Sequence, residues 1–183
     1  MVESQNTIQQ NMQEFTSDAP SDFDFEIGDW FVKHRRLKST LNGCNEWVEF
    51  EGLSSVVKIL DGFGNLEDNL LHLPGSSFSA IALRSFNKVT NKWSIWWLDA
   101  RFPDVFDVPV VGEFIGGIGL FFADDVLDGV PIKIRFRWSS LKPNNPRWEQ
   151  AFSTDDGATW ETNWTMSFLP NTLNLNGEVT RAL

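Results

Sequence analysis

"RWEQAFSTDDGATWETNWTMSF", residues 147–168, alternates apolar and polar side chains on both sides of a turn. Trp148, Gln150 and Phe152 share one face, and Arg147 and Glu149 share the other. After the turn, Trp160, Thr162, Trp164, Met166 and Phe168 share a face opposite Glu161 and Asn163. A period of two marks an extended strand with one buried face. The link between the runs has the chemistry of a tight hairpin. Asp155 and Asp156 can accept hydrogen bonds from backbone N–H groups, and Gly157 can take a positive φ. The stretch predicts two antiparallel strands, and an all-β chain if the pattern repeats.

The turn itself fits S-x-D-x-G-x-T-W at Ser153, Asp155, Gly157, Thr159 and Trp160. This resembles the Asp-box of sialidase propellers. A six-bladed propeller, at roughly 40–50 residues per blade, needs far more chain than this. The pattern also occurs once, and no other internal repeat is present. The motif therefore reports a hairpin and not a sugar-cleaving propeller.

Working outward, period two recurs along the chain. "WFVKHRRL" (30–37), "WVEFEGLSSVVKIL" (47–60), "LEDNLLHL" (66–73), "SAIALRSF" (79–86) and "WSIWWLD" (93–99) read as strands. "EFIGGIGLFF" (113–122) reads as one strand sharply bent by its glycines, and "PIKIRFRW" (131–138) leads into the hairpin above. Turn signals at 61–65, Pro74-Gly75 and 87–92 separate them. The total is roughly nine strands with hairpin-length links and no strong amphipathic helix. Such a meander predicts an all-β fold, a single closed antiparallel up-and-down barrel, because closure removes exposed edges. Residues 1–20 are polar and read as a mobile tail, and 21–183 as one barrel domain. Residues 174–183 are ambiguous. The long link "ARFPDVFDVPVVG" (100–112) is expected to place Phe102 and Phe106 at one barrel end, as a lid or as a plug.

Composition limits the partners. Formal net charge is −10, which argues against nucleic acid, whose phosphates need a basic face. No apolar run is long enough for a membrane span. The N-terminus has no basic start and no apolar core, so it does not read as a secretory signal, and a cytoplasmic location is the expectation. Cys44 is the only cysteine, which excludes an internal disulfide and a cysteine zinc site. The two histidines, His34 and His72, are too few for a three-histidine metal centre, so no metal and no cofactor are expected. Haem held through His34 or His72 is a minor reading. Nine Trp and sixteen Phe with no Tyr imply either a bulky core or a ring-lined cavity.

"FEIGDW" (25–30) opens the first strand with Gly28-Asp29-Trp30. Gly-x-Trp at that position resembles the calycins, the lipocalin-type barrels. Together with "GEFIGGIGLFFADD", "IRFRWSS" and the 147–164 block, it resembles an uncharacterised bacterial family of calycin-like barrels over residues 22–168. The resemblance implies a closed barrel, a cavity, and Trp30 packed across the closed end. It carries no catalytic residues.

If Trp30 faces inward, alternation places Val32, His34 and Arg36 inward too. Arg84 shares the face of Ala80 and Ala82. Trp30, His34, Arg36, Arg84, Trp138, Trp148, Gln150 and Trp164 are therefore the candidate ligand-binding residues. An apolar wall with a few fixed polar groups is the usual form of a small-molecule site, and Arg36 or Arg84 suits a carboxylate. The leading expectation is a barrel that binds a small hydrophobic molecule with a polar or anionic group. One alternative is a cofactor-independent isomerase, cyclase or lyase in the same cavity, with His34 and Arg36 as first suspects. Another is a filled barrel acting as an interaction module. Oligomeric state is not legible.

Overall fold

Alternating side chains pair best when each strand meets its chain neighbour across a short turn, and that rule governs nearly the whole molecule. A computed structural model describes residues 18–141 and 145–171. The expected polar tail lies outside the described residues up to position 17, as does the ambiguous 174–183 segment.

The strands are β1 (Gly28–Leu37), β2 (Trp47–Ile59), β3 (Gly64–Leu73), β4 (Ser76–Asn87), β5 (Lys92–Asp99), β6 (Val110–Ile115), β7 (Ile118–Leu127), β8 (Val130–Ser139), β9 (Arg147–Ser153) and β10 (Glu161–Pro170). Each pairs antiparallel with its neighbours in sequence, and β1 closes the barrel against β10 from Trp30↔Pro170 to Arg36↔Trp164. The architecture is the expected all-β up-and-down barrel.

Ten strands replace roughly nine because 113–122 is not one bent strand. Gly116 and Gly117, with φ of 60° and 79°, form the two-residue turn between β6 and β7. Both central residues need positive φ in such a turn, which glycine allows without strain. The Asp-box turn is a hairpin as read. The Asp155 carboxylate accepts from Thr159 N at 2.8 Å and from Thr159 Oγ1 at 2.6 Å, and Gly157 has φ +88°.

Alternation fails once near this hairpin. A bulge between Thr162 and Trp164 sets Thr162 level with Ala151, on the face away from Gln150 and Phe152. Trp160 and Thr162 therefore do not share the face of Trp164. Trp160 packs at 6.0 Å from Phe122 and under the Arg135 guanidinium, outside the barrel. Asn163, expected on the outer surface, is buried and accepts a hydrogen bond from Gln150 at 2.8 Å.

One end of the barrel is closed by a short 3-10 turn, Asp24–Glu26. Phe23, before the turn, inserts among Trp93 (5.0 Å), Phe114 (4.9 Å) and Trp138 (6.3 Å), mostly edge to face. Burial of such a ring contributes about 1.5–3 kcal/mol. Two indoles pin the segment: Trp30 Nε1 donates to the Glu26 carbonyl at 2.7 Å, and Trp93 Nε1 donates to Asp22 at 3.0 Å. Trp30 packs against Phe168 at this closed end.

The other end is bordered by the link 100–109. β5 and β6 pair only from Trp93↔Gly112 to Ile95↔Val110. Beyond that seam the link itself takes the place of a strand. Asp107 N donates to the Trp97 carbonyl at 3.1 Å, and Phe106 bridges Leu98. No helix among the described residues is long and apolar enough to cross a membrane.

Candidate functional site

The inward faces do not fill the barrel. They enclose a cavity of about 450 Å³ between the Phe23 plug and the 100–109 link. Its wall is mainly aromatic and aliphatic. Trp148 lies edge-on to Trp164 at 5.7 Å and to Phe136 at 4.8 Å, and Trp97 meets Trp164 at 6.0 Å. The rings brace one another and still leave the void, so the barrel is hollow.

Of the residues expected at the site, Arg36, Arg84, Trp138, Trp148, Gln150 and Trp164 line this cavity. Phe102 lines it too, at the mouth, and is 62% exposed. Phe106, although in the same link, bonds back to β5 and does not line it. Trp30 and His34 also face inward but lie off the cavity wall. Trp30 belongs to the closed end. His34 is covered by Phe50, whose ring stacks at 4.6 Å and 5°. Burial pulls the imidazole down to about 3, so it is neutral at ordinary pH. His72 is exposed and sits 3.1 Å from Ser77 Oγ. Neither histidine presents a nitrogen to the cavity.

The mouth carries charge of both signs. The Arg36 guanidinium lies 4.8 Å over the Trp164 ring. Burial pulls it below its ordinary value; Arg101 adds to this and Asp99 opposes it. No carboxylate among the described residues accepts a hydrogen bond from Arg36. Asp99, by contrast, is held by Arg101 in a two-pronged pair at 2.9 and 2.6 Å. Burial opposes the Asp99 charge, but these bonds outweigh it and keep the carboxyl below its ordinary range. Asp107 sits nearby with its carboxyl pushed up by burial and by the charges of Asp125 and Asp99.

The floor is a buried ionic cluster. Arg84, 3% exposed, donates from Nη1 to Asn65 at 2.9 Å and from Nη2 to both Glu26 (3.0 Å) and Glu67. Glu67 also accepts from Ser54 Oγ at 2.8 Å. Burial raises the Glu26 carboxyl well above its ordinary value; Arg84 opposes this, and Glu67 adds to it. Arg84 thus meets two buried carboxyl groups, Glu26 and Glu67, through the same nitrogen. The guanidinium is packed between the Phe23 ring at 5.0 Å and the Trp138 ring at 5.7 Å.

Sequence reasoning missed Glu67, Trp97 and Asp99, all on the cavity wall. The signal for Glu67 was its face, shared with Asn69 and Leu71 in "LEDNLLHL". Trp97 and Asp99 share a face with Trp93 and Ile95 in "WSIWWLD" in the same way.

No protein-family model matches this chain, and no curated protein does. Among solved structures it is similar to the S-type phycobiliprotein lyase CPES from Guillardia theta, with a TM-score of 0.54 and 9% identity. The match covers 82% of this chain and 90% of that one. At that identity the likeness concerns the fold: this chain shares the barrel architecture of a phycobiliprotein lyase.

Proposed function

We propose that the barrel binds a small, largely apolar molecule carrying an anionic group. The observation that carries this reading is Arg36, a half-buried cation on the cavity wall with an indole beneath it and, among the described residues, no carboxylate bonded to it. A desolvated guanidinium gains a charge-assisted, two-pronged bond when a carboxylate arrives. The tryptophan-rich wall then covers the apolar remainder of the ligand, as small-molecule sites commonly do. Phe102, exposed at the mouth, supplies a lid over the entering molecule. The similarity to a lyase that handles a phycobiliprotein supports use of such a cavity for a conjugated or otherwise hydrophobic molecule.

Asp107 favours a second reading, in which the same cavity is an isomerase, cyclase or lyase without cofactor. Its carboxyl, raised above its ordinary range, holds a proton more readily than a free aspartate and stands at the mouth where it can pass one to a bound molecule, and Arg36 lies at the same end to balance negative charge. His34 has no part in this, being sealed behind Phe50.

An apolar fluorescent probe, displaced by dodecanoate, tests both. Saturable probe binding with displacement supports a ligand cavity, and its absence removes both readings. Native mass spectrometry of protein from its own source then separates them. A retained, unaltered small molecule supports carriage, and a metabolite that is consumed supports catalysis.

A further inference from the structure

One polar group on the cavity wall is only half used. Gln150 faces inward and lines the cavity among apolar neighbours. Its Nε2 donates to Asn163 Oδ1 at 2.8 Å, and its Oε1 has no hydrogen-bond partner among the described residues. The side chain is half-buried, and because it points into the barrel, its open part is open to the cavity. Asn163 is 1% exposed and sits at the bulge in β10, so it holds one end of the amide in place. Turning the Gln150 amide alone would set its oxygen against the Asn163 oxygen, two acceptors with no proton between them. The acceptor end therefore stays toward the void.

Strand register ties this group to the mouth cation. Arg36 is level with Trp164, and Trp164 is level with Gln150. Arg36 and Gln150 thus flank one indole at one depth of the barrel, two strands apart, with about 10 Å between their backbones. Trp164 offers nothing polar between them. Its face carries the Arg36 guanidinium at 4.8 Å, and its N–H is given to His34. Beyond Gln150 the row continues with Phe136.

We infer that Gln150 Oε1 is a second recognition point, which takes a hydroxyl or N–H donor from the middle of a ligand whose anionic group rests at Arg36. A plain hydrocarbon chain lying across this wall would strip water from the amide oxygen and return nothing, which costs free energy. A donor at the same place restores the bond. A ligand carbonyl would meet the oxygen as a second acceptor. The cavity thus selects a hydroxylated or N–H-bearing anion over a fatty acid and over its keto analogue.

This inference rests on the cavity reading above, and its test separates the two. Affinities of dodecanoate, of its isomers with one hydroxyl at each carbon along the middle of the chain, and of the matching keto acids are measured by displacement of the fluorescent probe. At the best-placed carbon the hydroxy acid is expected to bind the parent about threefold to tenfold more tightly than dodecanoate, and the keto acid no more tightly. Gln150→Met, similar in length but without the amide, should erase the hydroxyl preference and bind dodecanoate itself more tightly. Gln150→Glu keeps the shape and the acceptor and adds negative charge, so it should weaken every acid and keep the hydroxyl preference. If all acids displace the probe but no hydroxy acid exceeds dodecanoate by about twofold, the Gln150 subsite is overturned and the cavity reading stands. A preference for the keto acids overturns the acceptor role. A hydroxyl preference unchanged in Gln150→Met, or lost in Gln150→Glu, overturns the assignment to this side chain. No saturable binding of any acid overturns both readings.

Discussion

Trp164 donates its indole N–H to His34 Nδ1 across 3.3 Å, from the cavity wall into the layer behind it. The imidazole must be neutral to accept, and burial keeps it so. The bond holds Trp164 in place, and the Arg36 guanidinium rests over the Trp164 ring. His34 is thus a positioning residue for the wall.

A pH dependence follows. The folded His34 value of about 3 lies below the ordinary 6.5, so the unfolded chain takes up a proton that the folded chain refuses. Stability from this group is complete above pH 6.5 and is lost as pH falls from there toward 3. The slope contributed is at most about 1.4 kcal/mol per pH unit. Urea unfolding across this range should show a shallower slope for His34→Leu than for the parent. Equal slopes would contradict the burial argument.

Gly52 is packed against the same histidine. A Cβ there would stand 2.8 Å from His34 Nε2 and 2.8 Å from the Leu70 carbonyl oxygen. Gly52→Ala should cost about 1–3 kcal/mol through overpacking. Because the imidazole must shift, the tryptophan emission should change as well. Chemical denaturation followed by fluorescence reads both effects.

Arg36→Met should weaken dodecanoate binding by about 1.5–3 kcal/mol, the worth of a hydrogen bond to a charged group. Dodecanol, which is bound through apolar area alone, should be nearly unaffected. Calorimetric titration of the two ligands checks this. Equal losses for both would show that Arg36 shapes the cavity and does not recognise charge.

Arg84→Met strips the floor cluster of its cation and leaves buried carboxyl groups without their partner. The expected destabilisation is about 3–5 kcal/mol. Adding Glu67→Gln should recover part of it, so the double variant should lose less than the sum of the single ones. Additive losses would mean that the pair is not coupled.

Gly157→Val tests the Asp-box turn. A branched side chain at φ +88° is strained, and its Cβ would lie 3.2 Å from the Trp160 indole. A cost of about 1–2 kcal/mol is expected. A variant melting with the parent in a thermal scan would overturn the turn assignment.

The sequence by itself determined the class of fold and most of the inward faces. Period two is a local consequence of strand geometry, so it is legible without tertiary contacts. Arg36 could be placed inside the barrel because it continues the alternation of Trp30, Val32 and His34, and Arg84 because it shares a face with Ala80 and Ala82. Trp138, Trp148, Gln150 and Trp164 follow in the same way. The tight turn at 153–160 was legible for a similar reason: its hydrogen bonds run between residues at most four apart.

Alternation assigns a face and says nothing of depth along the barrel. Trp30, His34 and Arg36 share one face of β1, yet only Arg36 reaches the cavity wall. The difference lies in what packs across from them: Phe168 and the Glu26 turn at one end, and Phe50 in the middle. Residues distant in sequence decide that, through register and plugging. The same holds for the floor, where Glu26, Glu67 and Arg84 meet only after the barrel closes and the Phe23 segment folds across its end. The bulge at Asn163 and the hairpin at Gly116-Gly117 likewise interrupt a pattern that local periodicity would have continued. Burial of those charges is a property of the closed barrel alone.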